Sequence, residues 1–307
     1  MVDVTYKPML AKIGEQKLLA NKNYTFEPKV DGTRAICYVG KDLKFVNRNG
    51  VTINSRYPEL AEIRKHIKGK SCVLDGEIVI YNKDGLPDFQ LFQKRDRSLK
   101  PQVIEQLSKK YPATYVVFDC LEYEGQSLLK EKLEDRQMVV EKIIRDGKKI
   151  QKTFIADDGK KLWKVVKERN LEGLMAKKKG SFYYPGERSS SWFKIKNLER
   201  LDGVIIGYTS VKRPISSLGI AICKNSRLTY IGNVGTGFTE ELIAELKPKL
   251  DKIKRKTPPV DYTGNDDFIW VQPKLVAEIQ YLEFSPDGMM RIPSFIRLRD
   301  DKKPEKC

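Results

Sequence analysis

Histidine is almost missing from this chain: His66 stands alone among 307 residues. A Ser/His/Asp triad or a multi-histidine metal centre would have to be built on that one side chain. Its place in the helix-like stretch PELAEIRKHIKG reads most simply as an exposed position near a helix C-terminus. The five cysteines, Cys37, Cys72, Cys120, Cys223 and Cys307, are widely separated, odd in number and form no CxxC or CxH pair. That argues against a disulfide framework or a structural zinc site and predicts reduced thiols in a cytosolic compartment. No apolar run approaches the ~20 residues of a membrane span, and the start MVDVTYKPMLAK lacks the apolar core of a secretory leader. Internal repeats and low-complexity tracts are absent too. The expectation is a soluble chain kept inside the cell, whose catalysis must run on lysine, arginine and carboxylates.

Positive charge, by contrast, is abundant. Lysine and arginine number 58 against 41 aspartates and glutamates, a net +17, with 40% hydrophobic residues to build a core. The excess points to a polyanionic partner, although a basic composition by itself does not name one. It is uneven: residues 1–199 carry 40 basic and 27 acidic side chains, net +13, and residues 200–307 carry 18 and 14, net +4.

The length suggests two domains. RAICYVG, LKFVNRNG, SCVLDGEIVIYN and ATYVVFDCLEY are rich in β-branched and aromatic residues between Gly, Asn or Asp, and read as strands. SLLKEKLEDRQMVVEKIIRDG has helical spacing with Gly147 as its stop, and DDGKKLWKVVKERNLEG reads as another helix. Adjacent strands with inserted helices predict an α+β domain built on antiparallel sheets over residues 1–199. Beyond SSSWFKIKNLERLDG, the strands GVIIGYT, GIAICK, LTYIGNVG and LVAEIQYLEFS with one helix, TEELIAELKPKLDKI, predict a small β-barrel of the OB type over residues 200–307. The boundary falls near Asn197–Leu201.

FEPKVDGTRA places Lys29 at the end of a strand-like segment, before the Asp31-Gly32 turn pair and Arg34. A lysine is a nucleophile only as the free amine, and at its ordinary pKa of ~10.4 very little is neutral at pH 7. Neighbouring cations, a metal ion or burial can lower that value, and Arg34 is close enough in sequence to supply charge and to fork onto a phosphate. Alone, Lys-x-Asp-Gly is weak, because a surface lysine before an Asp-Gly turn is common. More follows in order: Arg48 in FVNRNG, Glu77 at a strand start in LDGEIV, Phe118 in VVFDCLEYEG, Glu172 in LEGLMAKKKG, then Lys194 and Lys196 in SSSWFKIK. The i, i+2 spacing of the last pair puts both amines on one strand face. Each has a plainer account, as core, helix-end carboxylate or solvated strand face; together, in this order, coincidence is implausible.

EPKVDGTR, FVNRNG, LDGEIV, FDCLEYEG, LEGLMAKKKG, SWFKIK and RIPSFIRLRDDKKPE together resemble the successive nucleotidyltransferase motifs of ATP-dependent DNA ligases, over nearly the whole chain. RLDGVIIGYT and YIGNVGTGF are most similar to the compact ligase modules of prokaryotic end-joining ligases. The resemblance implies an adenylation (nucleotidyltransferase) domain followed by an OB-fold domain. With 28 residues before Lys29, the chain is expected to lack the DNA-encircling domain of larger ligases, and likewise the zinc-binding and helix-hairpin-helix regions of NAD-dependent ligases.

By motif match, Lys29 is implied to take AMP from ATP as a phosphoramidate. Glu27 would help define the adenine pocket and Phe118 would stack on the base. Arg34 and Arg48 would hold ribose or phosphate, and later the 5′-phosphate of a nick. Glu77 and Glu172 would contact ribose or hold Mg²⁺ (or Mn²⁺) through hard oxygen ligands. Lys194 and Lys196 would grip the α-phosphate. Arg299, Asp301 and Lys302, on the second domain, would orient pyrophosphate, so that domain is expected to close over the first and then swing away, with Asn197–Leu201 as hinge. The implied partner is nicked double-stranded DNA, together with a Ku-type end-binding protein or a polymerase in end joining. The implied setting is a cytoplasmic, prokaryote-like, nucleoid-associated monomer with no membrane contact. Rival readings sharing Lys-x-Asp-Gly chemistry are an RNA ligase and a GTP-using mRNA-capping enzyme; a third is an OB-fold binding protein with a dead nucleotidyltransferase domain.

Overall fold

Alternation of apolar and polar residues makes most of the first two hundred residues into strands, and the same alternation gives each sheet two chemically different faces. The computed structural model describes residues 6–224 and 227–307 and resolves into two units, Met1–Asn197 and Leu198–Cys307. In chain order the first unit holds β1 (Leu10–Ile13), β2 (Tyr24–Pro28), β3 (Thr33–Val39), β4 (Leu43–Asn47), β5 (Cys72–Ile80), α1 (Phe89–Asp96), α2 (Pro101–Lys110), β6 (Ala113–Tyr123), β7 (Gln126–Ser127), α3 (Leu133–Ile143), β8 (Ile150–Lys152), α4 (Gly159–Glu168), β9 (Gly173–Lys178) and β10 (Arg188–Lys196).

These strands form two sheets. One has the order β1-β10-β9-β2; the other runs β4-β3-β5-β6-β7, with β8 beside β6. Both are mainly antiparallel, as expected, but β1 pairs with β10 and β8 with β6 in parallel. On β3 and β5, Ala35, Cys37, Val39, Cys72, Leu74, Ile78 and Ile80 enter the large core under α1, α3 and a 3₁₀ helix. Ile36 and Val73, on the opposite faces, join Met9, Leu121, Tyr183 and Trp192 in a cluster shared by the two sheets. The other face of the first sheet, with Phe26, Leu174, Ala176 and Ile195, packs on Leu162, Trp163 and Val166 of α4. Residues on the inner faces of both sheets therefore look at one another.

Three local readings change. The helix expected to stop at Gly147 spans only Leu133–Ile143, because buried Ile144 turns extended and bridges Ile67. His66 ends a 3₁₀ helix, Pro58–His66, instead of an α-helix; Tyr57, Leu60 and Ile63 are all buried, and their three-residue spacing suits that helix. The His66 ring is half-buried against Gly147, its Nδ1 lying 3.1 Å from the Arg145 carbonyl oxygen. Glu77 lies inside β5, not at its start.

The second unit contains β11 (Glu199–Thr209), β12 (Ser217–Lys224), β13 (Arg227–Val234), α5 (Glu240–Asp251), β14 (Ile269–Trp270), β15 (Val276–Tyr281) and β16 (Ser294–Leu298). Its sheet order is β13-β12-β11-β15-β16, with β14 on β11. The chain from Met290 into β16 runs back along β13 and the turn after it, with Met290 N–H donating to the Ile231 carbonyl (2.8 Å) and Phe295 N–H to that of Thr236 (3.0 Å). Ile243, Leu246 and Leu250 of α5 fill the enclosed core. Thr239 caps α5 by accepting from Leu242 N–H. The second unit is the OB-type fold expected from its strand rhythm. No helix among the described residues is long and apolar enough to cross a membrane.

A bidentate ion pair, Arg136 on Asp119 at 2.8 and 2.9 Å, ties α3 to β6 with both side chains fully buried. Removing one partner leaves the other charge stranded in the core, which costs about 3–5 kcal/mol. Arg136→Leu is therefore expected to lose about that much stability in urea unfolding, and adding Asp119→Leu to recover a large part of it.

Candidate active site

The inner faces of the two sheets are polar where they meet, and a cavity of about 220 Å³ opens between them. Alternation decides its lining. Asp75 and Glu77 share a face of β5 with Val73, away from the core side chains Leu74 and Ile78. Arg34 shares a face of β3 with Ile36 and pairs in register with Glu77. On the other sheet, Glu27 is in register with Met175, which is in register with Lys194; Lys177 shares the face of Met175. Lys29, Phe118 and Arg48 complete the wall, Arg48 from the exposed turn after β4.

Lys29 follows the last residue of β2, and its N–H donates to the Gly173 carbonyl (2.9 Å), which extends the β2–β9 ladder by one residue. Glu172, just before β9, is thereby set beside it, and its carboxylate forms a close ion pair with the Lys29 ammonium. Lys196 reaches the same carboxylate at 3.9 Å. Two glycines allow this approach. A Cβ on Gly32 would stand 2.0 Å from the Ile78 carbonyl oxygen, and one on Gly173, whose φ is +148°, 2.1 Å from that of Ile195.

The charge state of Lys29 differs from the expectation of a depressed pKa. Burial disfavours the ammonium, but Glu172 first, then Glu77 and Asp31, outweigh it, so its pKa lies above the ordinary value. Lys194 is the lysine whose pKa is lowered, by burial and then by Lys196 and Lys29. Arg34 is committed elsewhere: its Nε and Nη2 fork onto Asp75 at 2.5 Å each, Tyr183 donates to the same carboxylate at 2.6 Å, and the guanidinium lies 4.5 Å from the Phe118 ring centre. Burial lifts Glu77 to about 7, although Lys29 and Arg34 pull it down.

No cluster of three or more His, Cys, Asp or Glu side chains suited to a metal occurs among the described residues. Two carboxylates, Glu77 and Glu172, flank one ammonium, and Glu77 accepts no hydrogen bond among the described residues. That set fits Mg²⁺ in its usual mode, one or two carboxylates with the rest from phosphates and water.

In the second unit, Asp202 at the start of β11 gathers Arg299 (2.9 and 3.0 Å) and Lys302 (2.8 Å), while Arg299 also forks onto Asp301 (2.8 and 2.9 Å). The structure thus collects Glu27, Lys29, Arg34, Arg48, Glu77, Phe118 and Lys194 on one cavity, with Glu172 against Lys29 and Lys196 reaching Glu172. Arg299, Asp301 and Lys302 form a separate cluster in the other unit. Sequence reasoning missed Asp75, Lys177, Tyr183, Trp192 and Asp202. Asp75 was open to discovery, two residues before Glu77 on an alternating strand. Lys177 was hidden in the run Lys177-Lys178-Lys179, where it alone is buried.

A nucleotidyltransferase sheet pair followed by an OB fold is the two-domain design of the covalent nucleotidyltransferases. The model of the family described as "ATP dependent DNA ligase domain" matches residues 8–196, and that of the "ATP dependent DNA ligase C terminal region" matches residues 212–302. The chain belongs to the ATP-dependent DNA ligase family. It is 33% identical over 313 residues to the multifunctional non-homologous end joining protein LigD of Mycolicibacterium smegmatis, covering 98% of this chain and 39% of that protein. It is 32% identical to a DNA ligase of Methanothrix thermoacetophila, covering 98% and 56%. A solved structure of mycobacterial DNA ligase D complexed with ATP and MES superposes with a TM-score of 0.56 at 29% identity, covering 98% of this chain and 97% of that one. The chain spans about two fifths to a little over half of the curated relatives' length.

The raised pKa of Glu77 has a stability consequence. Between its ordinary value of 4.5 and about 7 the folded state binds more protons than the unfolded one. Its contribution is thus fully present below pH 4.5 and is lost as pH rises through 7. Glu77→Gln is expected to melt at a higher temperature than the parent protein at pH 8 without nucleotide, the difference vanishing near pH 5; a difference independent of pH would contradict the assignment.

Proposed function

We propose that this chain is an ATP-dependent DNA ligase that seals nicks between a 5′-phosphate and a 3′-hydroxyl. The observation that carries the reading is Lys29, held against Glu172 in a cavity whose wall also presents Lys194. Once deprotonated, Lys29 Nζ attacks the α-phosphorus of ATP; an N–P bond forms as the P–O bond to pyrophosphate breaks. AMP then passes to the 5′-phosphate of the nick, and the 3′-hydroxyl displaces it, leaving a phosphodiester. Each step is an in-line displacement in which positioning and charge neutralisation do most of the work. Lys194 and Lys196 bear on the α-phosphate, Phe118 and Glu27 on the base, and Arg34 and Arg48 on ribose or phosphate.

Glu77 and Glu172 would hold Mg²⁺, whose charge at that place competes with the pairing that keeps Lys29 protonated. Residues 1–199 form the adenylation domain and 200–307 the OB domain, a reading supported by the division at Asn197/Leu198. Arg299, Asp301 and Lys302 orient pyrophosphate in the first step. The LigD relatives' names support a role in end joining. A Ku-type or polymerase partner, a monomeric state and a cytoplasmic setting belong to the same reading.

Lys29→Ala is expected to abolish covalent labelling by α-labelled ATP; a variant that still acquires AMP would refute the proposed nucleophile. Arg299→Ala combined with Lys302→Ala should cut labelling by about 100-fold or more, the scale of a lost transition-state contact. The same variant should still seal a nick that already carries AMP, so equal loss in the two assays would remove these residues from the first step.

A further inference from the structure

One buried charge in the cavity has no part in the chemistry above. Lys177 is 1% exposed and pairs at 2.8 Å with Glu27 Oε1; Glu27 is itself 2% exposed. Its ammonium also donates to the Phe118 carbonyl at 3.3 Å and lies 4.6 Å from the Phe118 ring centre and 4.4 Å from that of Trp192. The Gln137 amide donates to the same Oε1 at 3.1 Å. Both contacts fall on Oε1, and among the described residues Oε2 takes no hydrogen bond, while Glu27 lines the cavity. The aromatic that would stack on a base and the carboxylate beside it are thus held by one ammonium.

The charge of Glu27 determines what it can recognise. A carboxylate only accepts hydrogen bonds, whereas a carboxylic acid both accepts and donates. The 6-position of adenine bears an amine donor; that of guanine or hypoxanthine bears an oxygen acceptor. An ionised Glu27 therefore attracts the first and repels the second, and a protonated one accommodates either. Burial raises the Glu27 pKa above the ordinary carboxylate value, and Lys177 is the largest influence holding it down toward the carboxylate, with Arg34 a smaller one and Asp119 acting together with burial.

We propose that Lys177 is the positioning residue for base selectivity: by holding Glu27 as a buried carboxylate, it makes the site accept 6-amino purine nucleotides and reject 6-oxo ones. The inference rests on the proposed nucleotide chemistry of this cavity.

Inosine triphosphate, which carries O6 in place of the N6 amine and an N1–H where adenine has a bare N1, is the discriminating probe, read as the rate of covalent labelling at subsaturating nucleotide. The parent protein is expected to favour ATP by at least about 100-fold, as a site built around a substrate hydrogen bond does. In Lys177→Met the ratio should fall below about 10-fold, with the gain on the inosine side; a merely structural lysine would depress both rates and leave the ratio intact. Gln137→Leu removes a neutral donor and should keep the parent ratio. A parent ratio in Lys177→Met, or a collapse as large in Gln137→Leu, overturns the proposal. Should Lys177→Met not fold, Glu27→Gln decides: its amide serves either base, so an unchanged ratio there also overturns it. Failure of the parent to label with ATP would instead refute the enzymatic reading, whereas equal labelling by both nucleotides would refute the role of Lys177 alone.

Discussion

The ammonium of Lys29 and the carboxylate of Glu172 lie side by side in a half-buried cleft, and the rest of the first unit is arranged so that they can. A lone buried ammonium would be driven to neutrality and a lone buried carboxylate to its acid form. Set against each other, both remain as charges that a polyphosphate and a metal ion can engage. The contact depends on the backbone bond that extends the β2–β9 ladder to Lys29, and on Gly32 and Gly173, which let three segments approach closer than any side chain would permit. Lys29 is thus stored as its ammonium.

The same rule of paired charge runs through the cavity. Arg34 is forked onto Asp75, and Glu27 is held by Lys177. Deeper, Arg136 and Asp119 are bound with neither side chain reaching solvent. In the second unit Asp202 gathers Arg299 and Lys302. Ion pairs of this kind add little net stability compared with apolar packing. What they do is fix the position of long, flexible side chains, and chemistry built on displacement at phosphorus depends on positioning. Glu77 departs from the pattern: it faces Lys29 and Arg34 without a hydrogen bond among the described residues, and burial lifts its pKa to about 7.

Much of this was legible beforehand, for identifiable reasons. β3, β5 and β6 announce themselves through β-branched residues between turn residues. The i, i+2 spacing along β10 puts Lys194 and Lys196 on one strand face. Boundaries set by competition between distant segments were not legible. α3 stops at Ile143 because Ile144 finds a bridging partner in Ile67, more than seventy residues away in sequence. Nor could a run of three lysines reveal that Lys177 is buried while Lys178 is exposed, because that depends on which face of β9 meets the other sheet.

From the order and type of its residues alone, the chain determined the candidate site residues, the two-domain plan and the membership in a ligase family, because motif chemistry and strand periodicity are local properties. Protonation and partnership were settled by tertiary structure. The positive charge that first suggested a polyanionic partner is, in the cavity of the first unit, largely balanced by carboxylates from neighbouring segments: Glu172 for Lys29, Asp75 for Arg34 and Glu27 for Lys177. A pKa responds to burial and to charges within a few ångströms, and those distances exist only once the sheets have packed.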